Sequence, residues 1–107
     1  MSFEVVTVRP FDRELKRLVK RFPSLKKEIV ALGAALAVHP HMGTALGNSC
    51  YKIRLAIASK GKGKSGGGRV ITHVHIAGKR VFLLSIFDKS EKDTLTDKEL
   101  KELLALT

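Results

Sequence analysis

Lys52 and Arg54 stand two apart in Tyr51 to Ala58 (YKIRLAIA), where Tyr51, Ile53, Leu55 and Ile57 alternate with Lys52, Arg54, Ala56 and Ala58. Residues two apart on an extended chain leave the same face, so two cations point one way from a strand whose other face is apolar. Arg69 opens a second alternating stretch, Arg69 to Ile76, and shares its parity with His73 and His75. If all of these meet on one face, the patch can hold several phosphates through charge-assisted hydrogen bonds. The bland alternative is a solvated sheet face with scattered Lys and Arg.

The two stretches are joined by Lys60 to Gly68, KGKGKSGGG. Its glycines argue against a rigid loop, and Lys60, Lys62 and Lys64 can follow a nucleic-acid backbone; a plain flexible hairpin loop is the other reading. Ala58 to Ser65 (ASKGKGKS) misses the phosphate-loop pattern G-x-x-x-x-G-K-[ST] only at its first position. That motif needs a helix immediately after it, whose N-terminus meets the anion, and here a strand pattern follows. Nucleotide binding by this route is therefore set aside. His73 and His75 could ligate a metal, but no Asp, Glu or Cys lies close by in sequence, so no metal and no cofactor are expected. Acid/base chemistry, RNA contact or an exposed structural role remain for these histidines. No paired carboxylates, G-x-S-x-G motif or Cys/His pair supports hydrolysis by those routes.

Charge gives the same direction. Twenty Lys and Arg against ten Asp and Glu leave a formal net charge of +10. No acid lies between Glu28 and Asp88, a stretch that holds Lys52, Arg54, Lys60, Lys62, Lys64, Arg69, Lys79 and Arg80. A polyanionic partner is implied. The lone Cys50 excludes an intramolecular disulfide and is compatible with a reducing cytoplasm. Met1 to Pro10 lacks an apolar core and no run nears the roughly 18 apolar residues that span a bilayer, so neither secretion nor membrane insertion is expected.

The 107 residues, 44% of them hydrophobic, suit a single domain with one modest core and a surface site. Phe3 to Val8 reads as a strand. Phe11, Leu15, Leu18 and Phe22 form one helical stripe, with Pro10 suited to the first turn. Leu25, Ile29, Leu32 and Leu36 form another, with Ser24 as an N-cap and His39-Pro40 as a stop. His41 to Cys50 reads as a loop. Tyr51 to Ala58, Arg69 to Ile76 and Val81 to Phe87 read as strands, the last two joined by a turn at Ala77 to Lys79. Thr96-Asp97-Lys98-Glu99 is a capping box, flanked by Leu95 and Leu100 at staple positions, and starts a short C-terminal helix. The order is β-α-α-β-β-β-α, which predicts an α+β fold. A four-stranded, largely antiparallel sheet is covered on one face by a helical hairpin, with the other face open to a ligand.

With this order, the segments YKIRLAIASKGKGKSGGGRVITHV and RVFLLSIFDKSEKDTLTDKEL resemble the RelE/ParE superfamily of bacterial toxins, especially its RelE and HigB-like branch. The resemblance covers nearly the whole chain. It is most specific from Tyr51 to Leu100, where Y-K-I-R-L, G-K-S-G-G-x-R-V-I and F-D-K-S-E-K-D occur in the family's order. It implies a cytoplasmic toxin that cuts messenger RNA in the ribosomal A site and is blocked by a cognate antitoxin protein. By alignment the residues serving the scissile phosphate fall on Lys52, Arg54, Arg69 and Lys89. The other basic side chains of the acid-free stretch, Lys60, Lys62, Lys64, His73, His75 and Arg80, are the expected RNA contacts.

Cleavage by a ribose 2′-OH on the adjacent phosphate needs a base, cations for the charge gathering on phosphate, and an acid for the leaving oxygen. Crowding Lys52 among Arg54, Arg69 and the loop lysines disfavours its charged form and suits it to act as base. Arg69, a planar two-pronged donor, is the expected main phosphate stabiliser. The RelE pattern carries a tyrosine after the fourth strand where this chain has Leu95, which leaves the acid unassigned among Lys89, His73, His75 and a ribosomal group. The same superfamily also suggests a ParE-like inhibitor of DNA gyrase, and a basic RNA- or ribosome-binding protein without catalysis is a third reading; Lys52, Arg54 and Arg69 favour the nuclease.

Overall fold

A computed structural model describes residues 2–61 and 63–107. The elements are β1 (Glu4–Thr7), α1 (Arg9–Arg21), α2 (Leu25–Val38), β2 (Thr44–Gly47), β3 (Cys50–Leu55), a 3-10 turn (Ala58–Lys60), β4 (Gly68–His75), β5 (Arg80–Asp88) and α3 (Asp97–Leu104). The strands form one sheet in the order β1-β5-β4-β3-β2. All neighbours are antiparallel except β1, which lies parallel to β5. The expected α+β architecture with its helical hairpin stands, with five strands rather than four.

The extra strand is β2, inside the segment expected to be a loop. Gly47 pairs with Cys50, and the two residues between them, Asn48 and Ser49, have φ of 54° and 56°. Two left-handed residues in succession make the two-residue turn whose twist matches that of a hairpin. The strand itself, TALG, is too short to show any alternation.

Pro10 sits in the first turn of α1, Asp12 lies near its positive end, and Lys20 and Arg21 lie at its negative end. Its buried Phe11 and Leu18 join Leu25, Ile29, Leu32 and Leu36 of α2 and the inward residues Ile53, Val70, Val81 and Ile86 of the sheet in one core. Ser24 does not cap α2 as expected. It is itself helical, and its hydroxyl accepts from the Ser59 N–H at 2.9 Å, while Glu28 Oε2 accepts from the Ala58 N–H at 2.8 Å. The start of α2 thus anchors the 3-10 turn, where β3 ends earlier than its alternation suggests.

The capping box at Thr96 and Glu99 is present, and α3 buries Leu100. Ser85 of β5 pairs with Ile71 and so shares the face of Arg69; it lines a shallow groove with Leu95, Leu103 and Leu106. The C-terminal helix therefore lies on the side of the sheet opposite the helical hairpin. The face expected to be open is partly roofed by α3 and by the 89–96 connection that precedes it. Among the described residues, no helix is long and apolar enough to cross a membrane.

Candidate nucleic-acid interface

In the β3–β4 ladder Arg54 pairs with Arg69, and Lys52 pairs with Ile71. The side chains of Lys52, Arg54 and Arg69 therefore leave the same face. Like charges directly opposite one another repel, and the structure supplies a counter-charge from the 89–96 connection. Asp93 Oδ1 accepts from Arg69 Nε at 2.8 Å, and Asp93 Oδ2 lies 3.9 Å from Lys52 Nζ. Desolvation alone would raise this carboxyl's pKa. The Arg69 hydrogen bond and the charges of Lys52, Arg69 and Lys89 outweigh it and hold the group below the ordinary carboxylate range. Asp93 remains half open to water, with 53% of its side chain exposed. Arg54 is exposed and makes no ion pair among the described residues.

Arg69 itself is only 2% exposed. Its Nη1 donates to the carbonyls of Lys64 and Gly68, both at 2.9 Å, and its Nη2 donates to the Ser65 carbonyl at 3.0 Å. The fork expected to grip phosphate thus grips the Gly/Lys-rich loop, and only the Nε edge faces Asp93. The same acid interrupts the purely cationic surroundings on which a base role for Lys52 rests.

The loop is stitched down at its other flank as well. Lys60 Nζ donates to the Gly66 carbonyl at 2.7 Å and to Asp88 Oδ1, and the Asp88 side chain is completely buried. Asp88 Oδ1 also accepts from the Ser90 N–H at 3.1 Å, and Arg21 approaches Oδ2 at 3.8 Å. Burial pushes the Asp88 carboxyl up, but the Lys60 and Ser90 hydrogen bonds and the Lys60 charge prevail and hold it below its ordinary value. Gly67 is buried, and a Cβ there would stand 2.1 Å from the Leu55 carbonyl oxygen. The segment that composition suggested was flexible is held by side chains at both ends. Lys60 is consumed in this clamp and lies 6.0 Å from the Phe22 ring, toward the helical side.

Lys62 lies outside the described residues. Lys64 is exposed and borders, with Arg54, Met42 and Leu55, a groove of about 320 Å³ at the end of β3. Lys89 follows β5 directly; its N–H donates to the Gly67 carbonyl at 3.0 Å, and its charge acts on Asp93. The histidines stand apart. His73 is roughly 13 Å along β4 from Arg69 at the usual rise per residue. It pairs with Cys50, stacks on Phe82 at 6.2 Å and has Nδ1 at 3.7 Å from Cys50 Sγ. Burial pushes the Cys50 thiol up to about 11, which fits a packed thiol and not a nucleophile. His75 and Arg80 face each other at the far end of the sheet, where Arg80 pairs with Glu4 at 3.1 Å. Of the expected residues, then, Lys52, Arg54, Arg69, Lys89 and Lys64 gather; Lys60, His73, His75 and Arg80 do not.

Asp88 and Asp93 were not legible as site residues. Both lie just beyond the acid-free stretch in sequence, and the turn after β5 brings them back onto it. The only sequence signal was their presence in F-D-K-S-E-K-D, after a strand whose pairing with β4 returns the chain to Arg69.

Residues 11–107 match the family described as the RelE toxin of the RelE/RelB toxin-antitoxin system. Among solved structures, an arginine-to-alanine double mutant of the E. coli toxin RelE in the free state is similar over 98% of this chain and 97% of that one, with a TM-score of 0.62 and 20% identity. At that identity the likeness establishes the fold.

Proposed function

This chain belongs to the RelE toxin family, and we propose that it is a ribosome-dependent messenger-RNA endonuclease that arrests translation in the cytoplasm until a cognate antitoxin binds it. The observation that carries the reading is the convergence of Lys52 and Arg69 on one carboxylate that also feels the Lys89 charge, with Arg54 across the ladder from Arg69. An anion held by two cations on a sheet face, with further positive charge beside it, is the kind of environment a scissile phosphate requires.

In the proposed reaction the ribose 2′-OH loses its proton and attacks the adjacent phosphorus, the P–O5′ bond breaks, and a proton goes to the departing 5′-oxygen. A 2′,3′-cyclic phosphate and a 5′-hydroxyl result. Lys52 is the proposed base, Arg54 and Lys89 the open cations for phosphate oxygens, and Arg69 a fixed donor at one edge. Leu95 cannot give a proton, so the acid is Lys89 or a group of the ribosome; His73 and His75 are too distant along β4.

The test is to induce the chain in a bacterium and map new 5′ ends on a reporter transcript. Ends confined to translated frames, and lost in Arg54→Ala, support the reading. Growth arrest with intact transcripts rejects it, and DNA damage in the same cells would point to gyrase.

A further inference from the structure

Two cations of the proposed site, Lys52 and Arg69, already share a carboxylate of the same chain. Arg69 cannot turn outward, because the Lys64, Ser65 and Gly68 carbonyls hold both terminal nitrogens. Among the described residues its Nε–H donates to Asp93 alone, and that carboxylate also faces Lys52 Nζ. Asp93 lies in the 89–96 connection, which has no regular structure between β5 and α3, and its side chain is half exposed. Arg69 is thus rigid and buried, whereas its carboxylate partner is borne on an irregular surface segment.

We propose that the Asp93 carboxylate is a built-in stand-in for the substrate phosphate, so that RNA enters the Lys52–Arg69–Lys89 site by anion exchange, displacing Asp93 and the segment that carries it. This rests on the RNA-cutting reading above for the identity of the anion. The exchange has a direct electrostatic rationale. A carboxylate and a phosphodiester each bring one negative charge and oxygen acceptors, so the site's cations remain compensated in both states. It also makes the resting protein a weaker RNA binder than its charge of +10 suggests.

The test uses the whole chain and a single-stranded decamer of 2′-O-methyl RNA, which binds but has no free 2′-OH to attack. Asp93→Asn is expected to bind the decamer about tenfold more tightly than wild type at constant salt, with the salt dependence of log K steeper by about one. That gain is expected to shrink in Lys52→Gln/Asp93→Asn relative to Lys52→Gln alone, since Asp93 then masks one cation fewer. If Asp93→Asn fails to fold, wild-type protein decides the matter through the Arg69 Nε–H resonance, which shifts on saturation with decamer if exchange occurs. Unchanged or weaker binding by a folded Asp93→Asn, or an Arg69 signal that stays put while the decamer binds, overturns the proposal. The two readings fail separately. Intact transcripts with a tighter Asp93→Asn remove the nuclease and keep the exchange, whereas cut transcripts with no gain remove only the exchange.

Discussion

Two aspartates five positions apart each hold a cation from the same basic region, in opposite settings. Asp88 has no exposed side-chain surface and meets Lys60, Ser90 and Arg21; Asp93 has 53% exposed and meets Arg69 and Lys52. A buried pair cannot open without stranding a charge away from water, so it is part of the fold. A half-exposed pair can open because water and ions compensate both partners, so it is available for exchange. The same chemistry thus serves construction at one end of the Gly/Lys-rich loop and, in the proposed exchange, substrate access at the other, with burial setting the two apart.

The sharpest way to break this contrast is Asp88→Asn. It leaves the part-buried Lys60 ammonium against the Gly66 and Gly67 carbonyls without its fully buried counter-ion, and the expected loss is about 3 kcal/mol of folding stability, read from urea denaturation. A loss as small as that of Asp93→Asn would erase the distinction. Gly67→Ala comes next: its methyl would press on the Leu55 carbonyl at 2.1 Å, for an expected loss of about 1–3 kcal/mol as β3 and the loop are forced apart.

Acid should also test the Asp88 side of the contrast. The folded Asp88 carboxyl is held below its ordinary 3.8, so its contribution is full above that value and drains away as pH falls through the lower, folded one. Urea midpoints should therefore decline below about pH 4 in wild type, and the part of that decline due to Asp88 should be absent in Asp88→Asn; parallel curves would contradict the assignment. Arg69→Lys keeps a charge near Asp93 but loses the fork. It is expected to speed amide exchange at Ser65 to Gly68 and to lower cleavage more than it lowers the melting temperature. The smallest effect expected is that of Asp93→Asn on the melting temperature, a shift within a few degrees, measured by calorimetry.

The periodic elements were legible in the sequence because their signals are local. The stripes of α1 and α2, the alternation of β3 and β4, and the Thr96 capping box each declare themselves within a dozen residues. The shared face of Lys52, Arg54 and Arg69 followed from parity, given that the two strands pair in the observed register. What escaped depends on contacts far apart along the chain. Ser24 reads as a cap until Ser59 arrives beside it, and Lys60 reads as an RNA contact until Asp88 closes over it. The acid-free stretch likewise is acid-free only as a string of letters, since β5 delivers Asp88 and Asp93 to its cations. β2 was missed for the opposite reason: four residues carry too little pattern, and its turn residues Asn48 and Ser49 are common in loops of every kind.

The parallel pairing of β1 with β5, in which Glu4 lies beside Arg80, bears on how the protein is born. A sheet whose first strand waits for β5 stays incomplete until Asp88 has left the ribosome, and such distant pairings form late. Lys52, Arg54 and Arg69 emerge well before Asp88 locks the loop that shapes them. Any product released short of Asp88 would carry these cations without the scaffold, so the cations and their restraint stand together only once the chain has been made past Asp93.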